Sequence, residues 1–188
     1  MYVALEGIDT AGKSTQISLL KEAFPQGIFT LEPGGSRLGG RLREILLKGD
    51  FSLSSRAEFL LFLSDRAEHC SKVLLPNRDK LIISDRSLIS GIAYAKSLPL
   101  EEVISLNLFA TEGYKPDLVV LLELSKEELE RRLGEKRQDR IELRGSEYLL
   151  EIQSRMIEAC ERLGVRLLRV DASLDREEIH TQIKKELI

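Results

Sequence analysis

The sequence predicts an α/β fold, a parallel five-stranded sheet flanked by helices, and three observations carry that prediction. Short apolar runs alternate with longer segments of helical spacing along all 188 residues. The first run leads directly into residues 7–14, GIDTAGKS, a full match to G-x-x-x-x-G-K-[ST] between a strand and a helix. The length suits one α/β domain and is too short for two.

In chain order, the apolar runs at 2–5, 28–31, 80–84, 118–124 and 165–170 are the five strands. Helical spacing over 13–24, 37–48, 54–75, 88–112, 126–134, 145–163 and 175–187 supplies the crossovers, which are right-handed in such units. Ligands of these sheets gather at the carboxyl ends of the strands, and a distinctive segment follows each strand here. The charged stretch 127–144 has no apolar strand. It reads either as a solvated helix face or as a mobile basic lid, placed at about 134–145.

After the first strand, Gly7, Ile8, Asp9, Thr10, Ala11, Gly12, Lys13, Ser14 and Thr15 form a phosphate-binding loop. Its glycines let backbone N–H groups turn inward on an anion, Lys13 reaches the β/γ-phosphates, and the Ser14 hydroxyl holds Mg²⁺. The ligand is a nucleoside triphosphate. Composition is that of an ordinary soluble protein, with 43% hydrophobic and 31% charged residues, and the net charge of −3 gives no signature of nucleic-acid or membrane binding. No apolar run approaches the roughly 20 residues of a spanning helix, and residues 2–5 read as core strand rather than a signal peptide. Cys70 and Cys160 form no metal or disulfide pattern. A cytoplasmic enzyme is expected.

The later strands separate switch, motor and kinase. No guanine-reading Asn-Lys-x-Asp follows any strand. The strand at 80–84 ends in Asp85-Arg86-Ser87, with Arg86 where a water-activating Glu stands in ATPase motors. An arginine there points to an anionic acceptor rather than water, with a plain strand-end Asp–Arg pair as the alternative. Asp85 is the second candidate, with Ser14, for the metal.

Four further motifs give the chain a specific likeness. Glu32-Pro33-Gly34-Gly35-Ser36 is followed by Leu38-Gly39 and Arg43; Phe62 and Arg66 stand four apart; Asp85-Arg86 leads to Ser90, Ala93 and Tyr94; and 139–142 reads Asp-Arg-Ile-Glu. In these motifs and their order the chain resembles the thymidylate kinases nearly end to end. The resemblance implies an ATP-dependent kinase converting dTMP to dTDP with Mg²⁺, acting as a homodimer through helices on one side of the sheet.

It also implies roles. Phe62 stacks on thymine and Arg66, on the same helix face, hydrogen-bonds it. Taken alone, Phe62 reads as core beside Leu60, Leu61 and Leu63. Tyr94 lies against the deoxyribose and disfavours a 2′-hydroxyl, Asp9 meets the 3′-hydroxyl, and Arg86, with Arg43 as second candidate, grips the acceptor phosphate. Glu32, Pro33, Ser90 and Gly91 complete the dTMP side. Adenine is expected between Arg131 and the turn at Ala172. Some relatives carry an Arg in the P-loop and others in the lid. Here the loop has Thr10 and the lid has Lys136, Arg137 and Arg140, so Arg137 or Arg140 is the catalytic lid cation, although Arg140 also reads as a partner of Asp139 or Glu142.

The acceptor phosphate is already anionic, so catalysis needs positioning and charge neutralisation rather than a base. His69 and His180 have no catalytic part, and His69 reads as structural. Three departures from the family pattern, Leu31 before Glu32, Gly91 after Ser90 and Ala95 after Tyr94, bear on thymine recognition and leave the phosphate chemistry untouched.

Overall fold

A computed structural model describes residues 1–49, 52–134 and 145–188. The elements are β1 (Tyr2–Glu6), α1 (Lys13–Ala23), β2 (Ile28–Leu31), α2 (Arg37–Lys48), α3 (Ser55–His69), β3 (Ile82–Asp85), α4 (Leu88–Tyr94), α5 (Leu100–Ala110), β4 (Leu118–Glu123), α6 (Lys126–Gly134), α7 (Ser146–Leu163), β5 (Arg166–Asp171) and α8 (Arg176–Lys185). The strands form one parallel sheet in the order β2-β3-β1-β4-β5.

Burial follows position in that order. The central strands β1 and β4 are buried almost throughout, as near-continuous apolar runs covered on both faces must be. The edge strands β2 and β5 carry exposed residues. α7 contributes Leu149, Ile152, Met156 and Leu163 to the core at helical spacing and stops at Gly164, whose φ of 58° is left-handed. Register places Leu5 and Leu31 both opposite Asp85, so the carboxyl ends of β1, β2 and β3 finish level. Everything that follows those three strands therefore converges on one end of the sheet.

Two expected helices are interrupted. The segment expected as one helix over 88–112 is α4 and α5, separated at 95–99. Pro99 lacks the N–H that a continuing helix requires, and its ring drives Leu98 out of the helical region. The segment 54–75 is α-helical only to His69; a π-helical turn over Cys70–Leu74 and a 3₁₀ turn containing Pro76 finish it. Cys70 and Cys160 are both buried and unpaired, with burial pushing their thiols up to about 11 and about 12. Among the described residues, no helix is long and apolar enough to cross a membrane.

Candidate active site

The sheet's convergent end carries an open cleft of about 410 Å³, lined by residues of the P-loop, of the segment after β2 and of the segment after β3. Asp9, Thr10, Lys13 and Ser14 face Glu32, Arg43, Asp85 and Arg86 across it. Lys13 is 8% exposed, and its ammonium donates to the carbonyls of Gly7 at 2.9 Å and Ile8 at 3.3 Å. Burial first, and then the Arg86 cation, lower its pKa from 10.5 to about 8. The buried Ile8 and Ala11 anchor the loop in the core.

Arg86 sits at the end of β3 in a left-handed conformation, φ 71°, as does Thr10 in the P-loop, φ 70°. Non-glycine residues held there mark sites where the surroundings override local preference. The guanidinium of Arg86 donates from Nη2 to Asp9 Oδ1 at 2.7 Å and from Nη1 to Ser90 Oγ at 3.0 Å and the Gly7 carbonyl at 3.3 Å. The Tyr94 ring lies 5.5 Å from it. Burial alone would lower the Arg86 pKa, but Tyr94, Asp9, Glu6 and Asp85 raise it above the ordinary value, so it stays a cation.

The other arginine expected on the acceptor side is more enclosed. Arg66 donates from Nε to Glu32 Oε2 at 2.8 Å, from Nη1 to Asn107 Oδ1 at 2.7 Å and from Nη2 to the Ser87 carbonyl at 3.3 Å. Glu32 also pairs with His69 Nδ1 at 2.8 Å, and His69 Nε2 with Thr30 at 2.7 Å. Burial raises the Glu32 pKa, yet Arg66 and His69 outweigh it and hold the carboxyl below its usual range. Both ring nitrogens of His69 are thus engaged by buried partners. Gly91 explains how the guanidinium fits: a Cβ there would lie 2.4 Å from Arg66 Nη1. The departure at Gly91 makes a seat for Arg66. Phe62 is half-buried and lies outside the hydrophobic core, whereas Phe59, one turn earlier, is inside it.

The segment after β2 is pressed onto α3. Gly34 N–H donates to Asp65 Oδ1 at 2.9 Å, and a Cβ at Gly35 would lie 2.5 Å from the His69 ring. Arg43, on α2, donates to the Pro33 carbonyl at 2.6 Å and lines the cleft. Leu31 is 38% exposed.

On the far side of the P-loop, α6 carries two adjacent arginines. Arg131 is 56% exposed and bonded to Glu128. Its neighbour Arg132 makes the connection, donating to the Thr10 carbonyl at 2.9 Å and the Ala172 carbonyl at 2.6 Å while pairing with Glu128 at 2.6 Å. Adjacent helical residues point about 100° apart, so the two side chains leave α6 in different directions, although both reach Glu128. The lid cations Lys136, Arg137 and Arg140, with Asp139 and Glu142, lie outside the described residues.

Sequence reasoning also missed Glu6 and Asn107. Glu6 is detectable as a lone acid closing a buried strand. Asn107 offered no signal, since a polar residue in the middle of a helix is usually solvated. As a metal site the cleft offers suitable atoms: Asp85 Oδ1 is buried with no hydrogen-bond partner among the described residues, and Ser14 lines the same space. Hard oxygen donors of this kind suit Mg²⁺.

A P-loop opening a five-stranded parallel sheet, facing an arginine-lined second anion site, defines a P-loop kinase of the nucleoside monophosphate kinase type. A model of the family described as thymidylate kinase matches residues 5–183. The chain is 58% identical over 183 residues to the thymidylate kinase of Wolinella succinogenes, covering 97% of this chain and 96% of that one. It is 51% identical over 191 residues to that of Helicobacter hepaticus, covering 100% and 98%. It shares its fold with a crystal structure of thymidylate kinase from Ehrlichia chaffeensis, at a TM-score of 0.78 and 24% identity over 100% and 97% of the two chains. The chain belongs to the thymidylate kinase family.

Proposed function

We propose that this protein transfers the γ-phosphoryl group of ATP to dTMP, giving dTDP and ADP. The observation that carries the reading is the single cleft in which Lys13 and Ser14 of the P-loop face Arg86, Arg43 and Glu32 of the acceptor side. An oxygen of the acceptor phosphate forms the new bond to the γ-phosphorus as the bond to the bridging oxygen of ADP breaks. The nucleophile is anionic at neutral pH, so no residue need accept a proton. Lys13 binds the β/γ-phosphates, and Arg86, steered by Asp9, holds the acceptor phosphate in line.

Ser14 and Asp85 would hold Mg²⁺, which when bound neutralises the phosphate oxygens of ATP. Phe62 and Arg66 read the thymine, Tyr94 crowds the sugar, and Arg131 with the Ala172 turn borders the adenine. The remaining transition-state charge falls to Arg137 or Arg140. The protein acts in the cytoplasm as a homodimer: Leu60 on α3 and Leu106 and Phe109 on α5, 56%, 40% and 84% exposed, offer an apolar face to a second copy.

A coupled ADP-release assay over dTMP, dUMP, UMP, dCMP, AMP and GMP tests the reading. ADP release should depend on the acceptor and be fastest with dTMP; a different preferred acceptor would replace the substrate, and acceptor-independent release would remove the kinase reading.

A further inference from the structure

Glu6 closes β1, is completely buried, and stands next to a loop built to attract phosphate. A carboxylate there works against anion binding, so it needs a compensating purpose. Its oxygens are saturated by donors. Oε1 accepts from Ser87 Oγ at 2.7 Å and from the Ser90 N–H at 3.3 Å, and Oε2 accepts from Ser90 Oγ at 2.5 Å. Burial pushes the Glu6 carboxyl up, against the pull of Arg86, the two serine hydroxyls and Lys13.

The polarity of this chain of bonds follows from counting protons. A serine hydroxyl has one hydrogen. Ser90 gives it to Glu6, which leaves only lone pairs facing Arg86 Nη1, 3.0 Å away. The guanidinium is thereby bonded on one side by Ser90 and on the other by Asp9 at 2.7 Å. Ser87 works in the same frame: its hydroxyl donates to Glu6 and accepts from the Ile89 N–H, fixing the start of the helix that carries Ser90.

We propose that Glu6 is a positioning residue for phosphoryl transfer, orienting Arg86 on the acceptor side of the cleft through the hydroxyl of Ser90. The inference rests on reading Arg86 as the clamp for the acceptor phosphate. Glu6→Gln keeps the shape but sets an amide N–H₂ against one of the donors. The amide oxygen stays at the Oε1 position, where it faces two donors, one of them a fixed backbone N–H, so the N–H₂ takes the Oε2 position and the Ser90 proton loses its acceptor and turns toward Arg86.

The test measures steady-state kinetics for dTMP and ATP separately, with thermal unfolding, on Glu6→Gln, Ser90→Ala, the double variant and Arg86→Lys. Glu6→Gln should lower kcat/KM for dTMP by about 10- to 100-fold, the scale of a small misplacement of a positioned group, with KM for ATP unchanged. Ser90→Ala should give a similar loss, and the double variant should be no worse than the poorer single, because both act on one path. Losses that multiply, equal losses for both substrates, or unaltered dTMP kinetics in folded Glu6→Gln would overturn the proposal. If Glu6→Gln does not fold, Ser90→Thr decides: recovery relative to Ser90→Ala supports the relay, and equal behaviour overturns it. Arg86→Lys separates the two readings. Parent-level dTMP kinetics there remove the clamp assignment and the proposal together; impaired kinetics there, with Glu6→Gln and Ser90→Ala unaffected, leave the clamp standing and remove the proposal alone.

Discussion

Arg86 and Arg66 both reach the start of α4, one touching Ser90 and the other the Ser87 carbonyl, yet they are held in different ways. The Arg86 side chain is 18% exposed and its partner Asp9 25% exposed, at the open cleft. Arg66 and Glu32 are each 3% exposed, inside a network that includes His69 and Asn107. Arg86 is a charge kept at the wall of the open cleft. Arg66 is a charge fixed by protein partners on all three of its nitrogens. The contrast suits the two roles proposed above: a phosphate clamp requires accessible positive charge, and a base reader requires a rigid donor of fixed direction.

The comparison breaks first at Arg66. Arg66→Ala leaves the Glu32 carboxylate without its main counter-ion, and removing one partner of a buried pair costs about 3–5 kcal/mol. Chemical denaturation should show that loss together with a raised KM for dTMP. Replacing the pair by apolar residues, Arg66→Met with Glu32→Leu, should recover stability and leave dTMP binding impaired. Recovery of both would make the pair purely structural.

Arg86→Ala should do the reverse. Loss of a charge-stabilising donor lowers kcat by about 10²- to 10³-fold, about 2.7–4 kcal/mol. Its unfolding midpoint should move less than that of Arg66→Ala, since water reaches the Asp9 side of the pair. A larger stability loss than for Arg66→Ala would cancel the distinction.

Gly91→Ala probes the seat under Arg66. Overpacking of this kind costs about 1–3 kcal/mol, and the guanidinium is the flexible party that must shift. KM for dTMP should rise while KM for ATP is unchanged; equal changes in both would mean that α4, not Arg66, had moved.

The smallest effect is pH-dependent. With the Lys13 pKa lowered from 10.5 to about 8, the ammonium loses its proton as pH rises through 8. Bound phosphates favour the cation, so ATP binding above that pH must take up a proton. Affinity should fall by up to tenfold, about 1.4 kcal/mol, per unit of pH. Titration calorimetry in buffers of different ionisation enthalpy measures the uptake. Stability moves the other way. Between pH 8 and 10.5 the unfolded chain binds more protons than the folded one, so this group's contribution to stability increases with pH across that window.

The two regions also differed in how much of them could be read from the chain. The P-loop is contiguous, and its meaning lies in residue types at fixed spacing, so GIDTAGKS identified the phosphate end without any tertiary information. The alternation of apolar runs likewise specified five parallel strands, and the carboxyl-end rule pointed to the end of the sheet where the cleft lies. Sequence spacing was less able to resolve neighbours. It gave no sign that Arg132 would bond Thr10 and Ala172. It also ran α4 and α5 together across Pro99.

By itself, then, the sequence determined the fold class, the phosphate-binding loop and the set of motifs that follow the strands, because each is encoded by residues close together in the chain. Only the tertiary structure decided how the side chains are held. Arg66 meets Glu32 and Asn107 across 34 and 41 residues, and Glu6 meets Ser87 and Ser90 across 81 and 84. No local period records such pairings. They exist because the sheet order β2-β3-β1 brings three strand ends level, and because burial makes each polar group find a partner where the fold has placed one.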